Sequence, residues 1–258
     1  MRTIEYLLCE KSQRLGKEKW IGINYTISPH CLWAGRTGSG KSVAAKILLA
    51  RTSILAPPEM QPVEITIIDP KEDIDFDYLE GMPRYYRGER SPQGFNDIYN
   101  SYIRRKEKID KTTNLKVLFV DEFSSLISLI SEKKEREEVQ RKLGLMLMLS
   151  RSRRFSIQMA THQPSAKLFG ENSTASREQF GSVCLLGDAG SETQAMLFDS
   201  VSREQIKQHG SIGGSSAGWM SLNGDFAVPV RVPHVEDMEK LNAVIRDNLT
   251  REKEHREE

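Results

Sequence analysis

The most informative stretch of this chain of 258 residues is Gly35-Arg36-Thr37-Gly38-Ser39-Gly40-Lys41-Ser42. It matches the pattern G-x-x-x-x-G-K-[ST], whose glycines let backbone N–H groups wrap around the phosphates of a nucleotide. The apolar run HCLWAG (30–35) predicts a buried strand before it, and SVAAKILLARTSIL (42–55) predicts a helix after it. Because the pattern requires this order of strand, loop and helix, the sequence predicts a phosphate-binding loop.

The loop also indicates which groups would hold the nucleotide. We expect the backbone from Gly35 to Val43 to bind the phosphates, with the positive end of the following helix directed at them. Lys41 is predicted to reach the β- and γ-phosphates, and the Ser42 hydroxyl to bind Mg²⁺.

Apolar runs alternate with segments of helical period through the rest of the chain. This alternation is typical of an α/β protein with a mostly parallel central sheet flanked by helices. The further strands are predicted at 63–69, 116–122, 156–161 and 182–188, and the further helices at 95–109, 131–154 and 235–249.

An acid pair follows the predicted strand at 116–122, whose sequence is KVLFVDE. Asp121 is expected to bind the water shell of Mg²⁺ beside Ser42, and Glu122 to act as the base that orients and polarises the attacking water. The N-K-x-D motif that reads guanine is absent from the sequence. ATP with Mg²⁺ is therefore the predicted cofactor, and the acid pair favours hydrolysis over phosphoryl transfer to a small molecule.

Composition restricts where a partner could bind. The formal charge is +1 from 37 basic and 36 acidic residues, so any surface for nucleic acid must be local. Three widely spaced cysteines lack metal spacing and fit reduced thiols, and no run approaches the roughly 20 apolar residues of a membrane span. We expect a cytoplasmic protein that a partner could recruit to the membrane.

Several segments resemble the motor of the FtsK/SpoIIIE DNA translocases. SPHCLWAGRTGSGKSVAAKILL (28–49) is similar to that family's phosphate-binding segment, including the Pro-His pair ahead of the strand. ITIIDPKEDIDFDYLEGMPRYY (65–86) resembles its second strand, and LSRSRRFSIQMATHQPS (149–165) resembles its fourth. The helix at 94–109, the Asp-Glu strand and VPVRVPHV (228–235) extend the resemblance over residues 20–235.

The resemblance implies a RecA-like P-loop NTPase core that assembles as a hexamer, hydrolyses ATP between subunits and pulls double-stranded DNA through its centre. It also implies a domain organisation: an N-terminal extension (1–19), the motor domain (20–235) and a charged C-terminal helix and tail (236–258). A basic surface is needed for the DNA. The local candidates are Arg104, Arg105, Lys106, Lys133, Lys134 and Lys167.

The resemblance implies two further site residues, but the sequence alone does not decide which residues they are. The family's strand end TQRP is THQP here, so either His162 or Gln163 would sense the γ-phosphate. The segment after the fifth strand, 190–194, lacks the family's arginine. We therefore expect Arg151 to act on the neighbouring subunit's nucleotide, with Arg153 and Arg154 as alternatives.

The family's membrane-spanning N-terminus and C-terminal DNA-reading domain find no counterpart in this sequence. Targeting would then come from a relaxase, a replication initiator or a membrane channel, which favours transfer of plasmid or other mobile-element DNA by conjugation. A replication helicase and a viral-type DNA-packaging ATPase are alternatives that keep the motor. A nucleotide-gated DNA-binding scaffold or partition ATPase is an alternative of another class.

Overall fold

The computed structural model describes residues 3–170, 173–188, 190–210, 212, 214 and 216–251. Within them, ten strands form one sheet. The strands are β1 (Ile4–Cys9), β2 (Trp20–Ile23), β3 (Cys31–Ala34), β4 (Glu64–Asp69), β5 (Tyr85–Arg87), β6 (Lys116–Asp121), β7 (Phe155–Thr161), β8 (Ser182–Leu186), β9 (Ala217–Leu222) and β10 (Val228–Arg231). The helices are α1 (Glu10–Arg14), α2 (Lys41–Leu55), α3 (Ser91–Lys106), α4 (Phe123–Leu129), α5 (Lys133–Leu149), α6 (Ser173–Glu178), α7 (Ser191–Leu197), α8 (Ser200–His209) and α9 (Met238–Thr250).

The strand order β2-β1-β10-β9-β8-β3-β7-β6-β4-β5 divides the sheet into two parts. The run from β8 to β5 is parallel throughout and contains the five strands that the sequence predicts. The run from β9 to β2 is antiparallel and extends the sheet beyond β8. The prediction of an α/β fold with a mostly parallel central sheet flanked by helices is confirmed.

The position of β3 explains where a ligand would bind. Its neighbours are β7 and β8, which both run parallel to it, and β6 lies on the far side of β7. Crevices at the carboxyl ends of parallel strands are the usual ligand sites of open α/β sheets. The loops that follow β3, β6 and β7 therefore meet at one edge, which we call the carboxyl edge.

Both terminal segments pack on this sheet. β1, in the predicted N-terminal extension, pairs with β10 on one side and β2 on the other, and its Tyr6 packs edge-on against Trp33. The buried Asn248 of α9 accepts the N–H of Ile65 at 3.0 Å and donates to the Ser53 hydroxyl at 2.8 Å. The division at residues 20 and 235 remains a prediction.

Arg105, one of the six predicted DNA-contacting residues, is unavailable to DNA within this chain. Its side chain is only 5% exposed, and its guanidinium donates to the carbonyl oxygens of Asn114 and Arg153 at 2.8 and 2.9 Å. That prediction is wrong because these carbonyls turn the side chain into the protein. The other five candidates are exposed.

In the described part of the chain, no helix is both long and apolar enough to cross a membrane.

Candidate nucleotide-binding and hydrolysis site

The loop between β3 and α2 is shaped by its glycines. Gly35 leaves the strand with a φ of 144°, and a Cβ there would clash with the carbonyl oxygen of Leu186. Gly40 precedes the first residue of α2 with a φ of 92°, a left-handed conformation that glycine adopts without strain. The loop can therefore curl tightly between β3 and the helix.

The N-terminus of α2 provides donors for an anion. No side chain caps it, so the N–H groups of its first turn have no capping partner and face the loop with the positive end of the helix dipole. The Lys41 ammonium lies within the loop, donating to the Gly35 carbonyl at 2.7 Å and to the Arg36 carbonyl at 2.9 Å. Burial lowers the pKa of Lys41, and the charges of Glu122 and Asp121 oppose that shift. The sequence from Gly35 to Val43 thus forms a cradle suited to phosphate.

Asp121 ends β6 at the same edge. Burial, followed by the neighbouring charges of Asp69, Asp73 and Glu122, raises the pKa of its carboxyl to about 7. Such a cluster of carboxyl groups favours a bound cation, and a carboxylate with a Ser42 hydroxyl is the hard oxygen donor set that Mg²⁺ prefers. In the described residues no cluster of three or more His, Cys, Asp or Glu side chains could hold a metal alone. Phosphate oxygens and waters would have to complete the coordination of Mg²⁺.

Glu122 is more tightly held than its neighbour. It is 2% exposed and adopts a left-handed φ of 65° between β6 and α4. Its carboxylate accepts from the Thr161 hydroxyl at 3.0 Å, the His162 N–H at 3.0 Å and the Ser124 hydroxyl. Burial would raise the pKa of Glu122, but the Ser124 hydrogen bond and the charge of Lys71 outweigh it and lower that pKa. The group is therefore an ionised carboxylate in a fixed orientation.

The end of β7, MATHQP (159–164), places its polar residues beside Glu122. β7 pairs with β3 through Thr161 and Ala34, and with β6 through Ala160 and Asp121, so the residue after Thr161 emerges between them. His162 places Nδ1 3.2 Å from the Gly35 carbonyl oxygen and Nε2 3.2 Å from Lys71 Nζ. Gln163 is exposed, and its carbonyl accepts from the Thr161 hydroxyl at 3.3 Å. Of the two sensor candidates, His162 lies in the site.

Lys71 is the site residue whose role is hardest to predict from the sequence. It follows β4 in the segment IDPK, and its ammonium lies 3.4 Å from Glu122 Oε2 as well as beside His162. Asp69 of the same segment accepts from the Tyr85 hydroxyl at 2.8 Å and from the Asp73 N–H. The contact of this segment with Glu122 depends on the strand order, which places β4 beside β6.

Arg151 lies away from this chain's own nucleotide site. It begins a short 3₁₀ turn ahead of β7, at the amino end of the parallel strands, and is exposed. Its guanidinium donates to the Ile27 carbonyl at 3.1 Å. Arg153 ends the same turn, and Arg154 follows it as the C-cap, donating to the Thr113 carbonyl at 2.6 Å. Action on a neighbouring subunit therefore remains a prediction.

Comparisons with known proteins agree with the resemblance. Residues 14–100 match the model of the FtsK/SpoIIIE family. The DNA translocase FtsK of Listeria monocytogenes is 26% identical in a 167-residue alignment that covers 53% of this chain and 21% of that protein. The chain thus spans about a fifth of the length of the curated relatives it matches.

Solved structures share the fold over nearly the whole chain. The cytoplasmic domain of the type VII secretion ATPase EccC of Thermomonospora curvata has a TM-score of 0.67 at 14% identity, covering 95% of this chain and 30% of that one. The pCW3 conjugation coupling protein TcpA, in a monomer form with ATPγS, has a TM-score of 0.66 at 16% identity and covers 95% and 70%. The resemblance to the FtsK/SpoIIIE family is confirmed, with residues 14–100 matching it on a fold shared with P-loop ATPase domains.

Proposed function

We propose that this chain is the motor ATPase of a double-stranded DNA translocase. The observation that carries the proposal is the meeting of the Gly35–Val43 cradle, the Asp121-Glu122 pair and His162 at the carboxyl edge. The sequence match to DNA translocases supports DNA as the track. Likeness in fold does not choose between tracks, because a secretion ATPase and a conjugation coupling protein match almost equally well.

Hydrolysis follows from the placement of the side chains. The backbone of the cradle and Lys41 bind the phosphates, with the Lys41 ammonium exchanging the Gly35 and Arg36 carbonyls for phosphate oxygens. Ser42 would bind Mg²⁺ and Asp121 would bind its water shell, and the ion would neutralise charge on the phosphate oxygens. Glu122, an ionised carboxylate, orients a water and accepts its proton.

The assembly is proposed as a hexamer in which Arg151 of one subunit reaches the nucleotide of the next. Arg151 is exposed at the edge opposite the cradle, so only a second subunit could bring the two together. A cation that stabilises the transferred phosphoryl group can raise the rate of hydrolysis by about 10³–10⁵-fold. The exposed candidates Arg104, Lys106, Lys133, Lys134 and Lys167 supply positive charge for DNA phosphates.

The biological role is proposed to be transfer of plasmid or mobile-element DNA in the cytoplasm. A relaxase, a replication initiator or a membrane channel would then direct the motor to its DNA. A replication helicase and a viral-type packaging ATPase use the same site on another track or in another process. A partition ATPase or DNA-binding scaffold would use ATP only to control assembly.

Turnover in the presence and absence of DNA tests the proposal. Hydrolysis of Mg-ATP by the purified chain should rise when long linear duplex DNA is added, and Glu122→Gln should abolish both rates. A rate that duplex DNA leaves unchanged would contradict a DNA motor. Strand displacement from a forked duplex would instead identify a helicase.

A further inference from the structure

A continuous chain of contacts connects the phosphate-binding loop to Glu122. The Gly35 carbonyl oxygen is shared by the Lys41 ammonium at 2.7 Å and by His162 Nδ1 at 3.2 Å. On the other side of the imidazole, His162 Nε2 lies 3.2 Å from Lys71 Nζ, which lies 3.4 Å from Glu122 Oε2. Two residues from separate loops, His162 and Lys71, thus connect the loop carbonyl to the carboxylate of Glu122.

Only one protonation state of His162 satisfies all of these contacts. An ammonium can only donate and a carbonyl can only accept. Nε2 must therefore accept from Lys71, and Nδ1 must carry the proton and donate to Gly35. With the proton on Nε2, the Nδ1 lone pair would face the carbonyl oxygen. With both nitrogens protonated, a cationic ring would lie 3.2 Å from a second cation.

Lys71 also supplies a hydrogen-bond donor between two acceptors, one on His162 and one on Glu122. In this tautomer Nε2 and Glu122 Oε2, which are 3.4 Å apart, are both acceptors. The ammonium of Lys71 lies within 3.4 Å of each and supplies the donor that both require. Glu122 is 2% exposed, so water cannot readily replace that donor.

We propose that Lys71 is a positioning residue for hydrolysis. It holds His162 as the neutral Nδ1–H tautomer and fixes Oε2 of Glu122, so that the state of the phosphate-binding loop reaches the catalytic carboxylate through His162. Nucleotide binding removes Lys41 from the Gly35 carbonyl and leaves His162 as the donor to that oxygen. The sensor contact at the end of β7 therefore runs through the loop backbone and Lys71. This inference rests on the proposed function only for the role of Glu122.

The tautomer can be measured without nucleotide. Nitrogen NMR of histidine-labelled protein distinguishes Nδ1–H from Nε2–H, and a His162→Gln variant assigns the signal. His30 is an internal reference of the opposite kind, because its Nδ1 accepts the Ile157 N–H at 3.0 Å, and burial lowers its pKa to about 3. We expect wild-type His162 to be Nδ1–H, and Lys71→Met to convert part or all of it to Nε2–H while His30 is unchanged. A wild-type Nε2–H signal, or one that Lys71→Met leaves unchanged, overturns the inference.

Kinetics supply the second readout. Lys71→Met should lower kcat by on the order of 10- to 100-fold, as expected for a misaligned catalytic group, and leave the Kd of an ATP analogue within a factor of about two to three. Lys71→Arg should restore part of kcat. Lys240→Met, an exposed lysine on α9, is the matched control and should match wild type. Equal kcat in Lys71→Met and wild type overturns the inference, whereas a wild type that cannot hydrolyse ATP overturns only the proposed function, because the tautomer is read without nucleotide.

Discussion

Buried charged groups lie at both ends of β6, but the pKa values of the acids there shift in opposite directions. At the amino end, Lys116 Nζ donates to Asp110 at 3.1 Å and to the Ser101 hydroxyl at 2.8 Å. Partial burial would raise the pKa of Asp110, but hydrogen bonds from Thr112 and Lys116 hold it far below its usual value. At the carboxyl end, burial and neighbouring acids raise the pKa of Asp121 to about 7.

This difference separates a structural cluster from a functional one. Around Lys116 each charge has an opposite charge or a donor, and the cluster needs nothing more. Around Asp121 the neighbouring acids raise its pKa and Lys71 opposes them, and we propose that a bound cation balances the remaining negative charge. Strongly perturbed pKa values in a crevice are typical of functional sites. On this proposal the same strand stabilises the fold at one end and would hold a metal ion at the other.

Replacing the base should produce the largest effect. Glu122→Gln keeps the shape of the side chain but removes the proton acceptor, so ATP hydrolysis should fall by about 10²–10⁴-fold. Because the cradle is untouched, ATP binding should persist. Steady-state turnover measures the hydrolysis rate, and titration with a fluorescent ATP analogue measures binding. Loss of binding together with turnover would mean that Glu122 shapes the cradle.

Breaking the structural cluster should affect stability only. Asp110→Ala removes the nearer carboxylate from the buried Lys116 and Arg105, and Lys116 keeps only Glu64, whose Oε2 lies 3.7 Å from its Nζ. The expected cost is about 3 kcal/mol in the free energy of unfolding. Urea unfolding measures it, with the exposed Asp247→Ala as control. The Kd for the ATP analogue should match wild type under conditions where the variant is folded. A changed Kd would show that the two ends of β6 are coupled.

The carboxyl end should respond to pH in the opposite sense. Because the pKa of Asp121 is higher in the folded protein than in the unfolded chain, folding favours its protonated form, and stability falls as pH rises through about 7. Asp121→Asn should therefore stabilise the protein by about 1–3 kcal/mol at pH 8 without Mg²⁺, and the gain should vanish near pH 4. Urea unfolding at pH 8 and at about pH 4 tests this prediction. A variant that is less stable than wild type at pH 8 would assign Asp121 to the structural kind of cluster.

The smallest effect is expected at Gln163, the exposed neighbour of His162. His162→Ala removes the contacts to Gly35 and Lys71 and should reduce kcat more than Gln163→Ala does, since the Gln163 side chain is exposed. Parallel turnover assays compare them. A larger loss from Gln163→Ala would move the sensor to that residue.

The sequence predicts the carboxyl edge well because its parts are local. The cradle is one octapeptide with its flanking strand and helix, and the acid pair ends an uninterrupted apolar run. Lys71 and Thr161 were harder to assign, because their contacts with Glu122 exist only once β4, β6 and β7 lie in this order. Strand order is a property of the whole sheet and leaves no signal at the residues themselves.

Two further features also depend on contacts between distant parts of the chain. The pairing of β1 with β10 was not predicted, since nothing near residues 4–9 indicates a partner that follows them so distantly. Arg105 was predicted to face solvent because it belongs to a basic stretch at the end of a helix, Arg104-Arg105-Lys106. Its burial depends on the Asn114 and Arg153 carbonyls, which come from two other loops.

Displacement of a triplex-forming strand from linear duplex DNA tests whether this chain moves along a duplex, because it reports movement rather than binding. Wild-type protein with Mg-ATP should release the third strand, and Glu122→Gln, with ATP bound but not hydrolysed, should leave it in place. Release by Glu122→Gln, or no release by a wild type that hydrolyses ATP on the same DNA, would contradict the account of this chain as a duplex-translocating motor.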